Sequence, residues 1–169
     1  MDQNMIILLI SLLALLVSFY SFYLVNELRK RSRTAAPENF STKPLQLQAY
    51  ERLVMLTERL SIPNLVSRAN QPGMSAREMQ ILLLESIKQE YEYNASQQIY
   101  VSPVAWEAVR NLKDQNMLVI NQVGSTLPPE AAGIDLNKRL LEFIMTQKKG
   151  ALHTIVLEAL NYEAKKMMK

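Results

Sequence analysis

The chain has 169 residues, 49% hydrophobic and 21% charged, with a net charge of +3, enough for about one domain of ordinary globular composition. It contains no cysteine, one histidine and four glycines. Disulfides, thiolate metal sites, cysteine nucleophiles and a His-cluster metal site within one chain are therefore excluded, and a glycine-rich phosphate cradle is not expected.

Charge is distributed unevenly. Residues 3–26 carry no charged side chain, whereas residues 45–169 hold 14 of the 19 basic and 13 of the 16 acidic residues, a net charge of +1. Four of the other basic residues cluster at Arg29, Lys30, Arg31 and Arg33. The excess charge thus belongs to one short stretch, and the remainder has no electrostatic footprint for nucleic acid.

From Met5 to Val25 the sequence is MIILLISLLALLVSFYSFYLV. At about 1.5 Å per residue this run matches the ~30 Å hydrocarbon core of a bilayer, where a helix satisfies every backbone polar group internally. Phe19, Tyr20, Phe22 and Tyr23 gather at one end as an aromatic belt. The leader is acidic (Asp2) rather than basic, the apolar core is longer than that of a signal peptide, and the bulky aromatics pass straight into Asn26 and Glu27, so a permanent anchor is expected over a removed signal peptide. Basic residues favour the cytoplasmic flank, which predicts the N-terminus outside and residues 27–169 inside. Ser11, Ala14, Ser18 and Ser21 lie within an 80° stripe of this helix, a face suited to another membrane helix or a second copy.

Residues 1–28 are accordingly expected to be an anchor, residues 29–44 a basic juxtamembrane segment and tether, and residues 45–169 a cytoplasmic helical domain. Within that domain Leu45, Ala49, Leu53, Leu56 and Leu60 form one apolar stripe, and Leu47, Tyr50 and Val54 a second face. Two apolar faces predict a central helix or a shared interface. Pro63 should break this helix near Ile62, with a short further turn at residues 64–68, and Gln71-Pro72-Gly73 should form a turn.

Ser75 and Glu78 make a capping box, and Met79, Leu83, Ile87 and Tyr91 then step by four. Residues 96–102 look extended, with a brief strand possible at 99–101. Ser102 and Pro103 open a third helix running to about residue 122, on which Trp106 lies opposite the main apolar stripe. After a loop at 124–133, Asp135 is expected to cap a last helix continuing to about Lys166, bent or weakened at Gly150. Leu141, Ile144, Leu152, Ile155, Ala159 and Tyr162 would form its buried face.

The sequence thus predicts an all-α protein: a single N-terminal transmembrane helix followed by a bundle of about four helices. No nucleophile–base pair is visible around the lone His153, and no catalytic, metal or cofactor residues are assigned. The expected role is non-enzymatic, that of an accessory or regulatory interaction protein in a larger membrane assembly. Its partners would be the bilayer and another membrane protein, or a second copy, met through the span. Leu47, Tyr50, Val54 and Trp106 are the candidate protein-interface residues. The alternatives are a homo-oligomeric structural or signalling element, and a membrane-proximal enzyme or lipid- or small-molecule-binding bundle.

Overall fold

A computed structural model describes residues 3–34, 41–69, 71–146 and 152–168, with side chains of the first helix described from Ser11 to Lys30. Among the described residues every regular element is a helix. They divide into two compact units, Met1–Ser41 and Thr42–Lys169.

The first unit contains α1 (Gln3–Thr34). Ser11–Lys30 is a 20-residue stretch long and apolar enough to cross a membrane, with none of it buried by the rest of the chain. The helix runs on past the apolar segment through the basic run, so residues 32–34, expected at the start of the tether, are helical. Lys and Arg are good helix formers, and no proline occurs before Pro37 to stop them.

The second unit holds α2 (Lys43–Leu60), α3 (Ile62–Ala69), α4 (Ala76–Tyr93), α5 (Pro103–Ser125), α6 (Gly133–Thr146) and α7 (Leu152–Met168), with a short 3-10 turn at Ala95–Ile99. The four expected helical patterns become six helices for two reasons. Ser61 is extended (ψ 135°), and Pro63 falls on the second residue of α3, where a missing N–H costs nothing because first-turn amides have no intrahelical acceptor. The second reason is the phase of the C-terminal pattern. In one straight helix Leu140 and Val156 would point about 160° apart, yet both are buried in the same core. On either side of residues 147–151 the described helices have different partners: α6 packs on α3, α4 and α5, and α7 on α2 and α5. Gly150 lies in residues 147–151, outside the described residues.

The core is built from the predicted stripes. Leu53, Leu56 and Leu60 of α2, Met79, Leu83 and Ile87 of α4, and Val109, Leu112 and Ile120 of α5 are all essentially inaccessible. They meet Leu136 and Leu140 of α6 and Val156 and Leu160 of α7. On α7 the expected burial fails: Ile155 is 56% and Tyr162 69% exposed. The stripe was extrapolated in phase from α6, but α7 turns its other side, Val156 and Leu160, toward α2 and α5.

Helix ends follow local chemistry. The Ser75 Oγ accepts the Glu78 N–H, and the Glu78 carboxylate accepts the Ser75 N–H. This partnership holds the Glu78 carboxyl below its ordinary range. Ser102 Oγ accepts the Ala105 N–H at 3.0 Å and opens α5. Asp135 is not the cap itself; it is the third residue of α6, and its Oδ2 accepts the Ala132 N–H at 3.1 Å. The anticipated strand near residue 99 is the 3-10 turn. At the opposite pole of the bundle, Gly133 N–H donates to the Met74 carbonyl and Ala76 N–H to the Ala131 carbonyl, both at 2.8 Å. That clasp ties the start of α6 to the start of α4.

Two polar side chains stand out in this core. Thr57 is wholly buried, and Asn137 is 4% exposed, and neither the Thr57 hydroxyl nor the Asn137 amide has a hydrogen-bond partner. A buried, unpaired hydroxyl costs about 1–3 kcal/mol of desolvation. Thr57→Val keeps the shape and removes the hydroxyl, so it is expected to raise stability by about 1 kcal/mol. A urea midpoint unchanged or lowered in the variant would contradict this account.

Candidate functional site

The residues marked out by the sequence divide by location. Ser11, Ala14, Ser18 and Ser21 are all exposed on α1, as are Phe19, Tyr20, Phe22 and Tyr23. Arg29 and Lys30 end the described stretch, and Arg31 and Arg33 lie in α1 with side chains outside the described residues.

The candidate protein-interface residues sit in or against the bundle. Tyr50 is 3% exposed, Leu47 is half-buried, and Val54 and Trp106 pack against the core. The Trp106 ring lies 5.1 Å from that of Tyr91, tilted by 31°, and Lys113 Nζ stands 4.7 Å above the Tyr91 ring. Trp106 thus joins α5 to α4. Burial pushes the Tyr91 hydroxyl above its ordinary pKa, against the opposing pull of Lys113.

Tyr50 organises a polar joint that the sequence did not reveal. Its hydroxyl donates to Glu163 Oε2 of α7 at 2.5 Å and accepts the Ser102 N–H at 3.1 Å. One phenol therefore holds three elements: the first part of α2, the end of α7 and the start of α5. Burial, then the bond to Glu163, raises the Tyr50 pKa. The pairing spans 113 residues of sequence, and apolar periodicity carries no signal for such a contact.

A second polar cluster joins α2, α3 and α4. Glu90 Oε1 receives Arg59 Nε at 2.8 Å and Arg68 Nη1 at 3.1 Å, while Arg68 Nη2 donates to the Arg59 carbonyl at 2.7 Å. Two guanidiniums on one carboxylate leave a positive charge at a polar cleft also lined by Ser86, Gln89 and Tyr93. The donors are spent largely on the protein itself, which accounts for the cluster as a brace between helices.

His153 shows no catalytic arrangement. Its Nε2 lies 3.3 Å from Glu58 Oε2, out of hydrogen-bond alignment. Ser61 lines the same small cavity as His153, but its hydroxyl donates to the Glu58 carbonyl at 2.9 Å. The nucleophile–base bond that acyl transfer requires is not made. Among the described residues no three His, Cys, Asp or Glu side chains group as metal ligands.

Large apolar side chains are exposed at several places on the second unit, Tyr93, Ile134 and Met145 among them, and three stand together at the pole where α2 begins and α7 ends. Ile99 is 73%, Val104 72% and Tyr162 69% exposed. They rim a shallow groove that also includes Tyr100, Ala159 and Lys166.

A family model matches residues 2–167, taking in α1 and the bundle together. The chain belongs to DUF7935, a family of unknown function. No curated protein and no solved structure matches it. The family match spans both units, and the family description assigns neither an activity nor a partner.

Proposed function

We propose that this DUF7935 member is a single-pass membrane protein, with its N-terminus outside and its helical domain in the cytoplasm, acting without catalysis as an accessory subunit of a membrane assembly. The observation that carries this reading is α1. Twenty residues of it are long and apolar enough to span a bilayer, and none of that stretch is buried among the described residues. A helix that is apolar all round and uncovered by protein is suited to lipid rather than water. The aromatic group at Phe19–Tyr23 and the basic group at Arg29–Arg33 follow it in the order of headgroup belt and cytoplasmic flank.

The non-catalytic part of the reading rests on chemistry. The polar groups Tyr50–Glu163–Ser102 and Arg59–Glu90–Arg68 are each satisfied between helices. The small-residue face of α1 leaves space for a neighbouring membrane helix. Alkaline washing of vesicles should leave the intact chain in the pellet, and protease added to sealed cells should spare residues 42–169. Release by the wash, or digestion of the domain from outside, would refute the anchor and its orientation respectively. Crosslinking in native membranes should then recover a partner protein; recovery of the monomer alone would refute the accessory role.

A further inference from the structure

The pole carrying Ile99, Val104 and Tyr162 combines features that protein interiors and ordinary solvated surfaces do not share. Two aliphatic side chains and a tyrosine project with about 70% of their area exposed. Lys165 and Lys166 stand exposed beside Tyr162 at the end of α7, and Lys43 lies about one turn before Gln46, which shares the groove with Lys166. The acid that lines this groove, Glu163, is turned inward to the Tyr50 hydroxyl, while Glu158, one turn before Tyr162 on α7, is exposed. Lysine is depleted at the centre of protein–protein interfaces, whereas aliphatic residues flanked by tyrosine and lysine suit the boundary between acyl chains and anionic headgroups.

We infer that the Ile99–Val104–Tyr162 face of the bundle docks on the anionic surface of the bilayer, with the side chains of Ile99 and Val104 inserted among the headgroups and Lys165 and Lys166 paired with lipid phosphates or carboxylates. This rests on the membrane reading of α1 and adds to it a lipid-binding function for the domain. Tyrosines 100 and 162 hold the depth of insertion, since each has an apolar ring and a hydroxyl that stays wet.

The absence of cysteine makes a clean test available. Full-length protein carrying Ile99→Cys, Val104→Cys or, as the control at the opposite pole, Ile134→Cys is labelled with a nitroxide and reconstituted into vesicles of phosphatidylcholine and phosphatidylserine. All three positions are more than two-thirds exposed, so substitution leaves the core intact. Labels at 99 and 104 should collide more with oxygen and less with a water-soluble nickel chelate than the label at 134. Phosphatidylcholine alone, or high salt, should reduce this contrast. Lys165→Glu with Lys166→Glu should shift the docked-to-undocked ratio by at least about fivefold for each lysine lost.

If the protein stays with the vesicles but all three labels meet the nickel chelate equally, docking is overturned and the anchor stands. Labels at 99 and 104 shielded from both reagents, in detergent as well as in vesicles, would show a protein partner or second copy on this face and would also overturn it. If alkaline washing frees the protein from the vesicles, the anchor and the docking fall together.

Discussion

Leu83→Ala is expected to destabilise the bundle by about 2–5 kcal/mol, a large part of the roughly 5–15 kcal/mol that holds a domain of this kind together. Leu83 is inaccessible, and α4 is the helix that touches α2, α3, α5 and α6. A void at this position has walls on several sides, and no single helix can move inward to fill it without leaving another partner. The cost should therefore fall toward the upper part of the range for cavity-forming substitutions. Chemical denaturation of the full chain in detergent, followed by helical circular dichroism, provides the measurement. A loss below about 1 kcal/mol would mean that the site collapses freely and that packing around Leu83 is not rigid.

Tyr50→Phe is expected to cost about 1.5–3 kcal/mol at neutral pH, because the hydroxyl it removes donates to a carboxylate and accepts a backbone amide. The side chain is 3% exposed, so water does not readily replace either bond. The pH dependence has a definite sign. Burial first, and the Glu163 bond second, raise the Tyr50 pKa above its unfolded value. The neutral phenol is thus the form that the fold favours. Its contribution is complete below the unfolded value near pH 10 and is lost as pH rises from there through the folded value. Wild-type stability should fall steeply on that alkaline side, and the Tyr50→Phe profile should be flatter, so that the two converge. Parallel profiles would show that Tyr50 does not carry the titration.

The fold was legible where one local rule decided the outcome. The 4-4-3-4 stripe of α2, the Ser75/Glu78 box and the Ser102-Pro103 start each depend on residues a few positions apart, and each forms as read. Of the stripe from Leu141 to Tyr162, Leu141, Ile144 and Leu152 pack against the core as read, whereas Ile155, Ala159 and Tyr162 are exposed, because α7 buries Val156 and Leu160 against α2 and α5 instead. The same error concealed the apolar groove, since Ile155, Ala159 and Tyr162 were assigned to the interior. Asp135 was misplaced by three residues because an acid at the third helical position and an acid at the cap give the same composition. The Tyr50–Glu163 and Arg59–Glu90–Arg68 groups could not be read at all. They join residues far apart in sequence, and each side chain taken alone looks like an ordinary member of a helix face.

The clasp between the starts of α4 and α6 sets a hierarchy of persistence within the bundle. Those two helices share main-chain bonds at Met74–Gly133 and Ala76–Ala131, which side-chain rearrangement cannot loosen. In α7, by contrast, only Val156 and Leu160 are fully buried, and its described long-range polar ties are side-chain ones, to Tyr50 and Glu58. The last helix is thus held to α2 and α5 by side-chain packing and side-chain polar ties, whereas the clasped pair is joined through its backbone as well, so substitutions at Tyr50 or Glu163 would loosen α7 and leave the α4–α6 clasp in place.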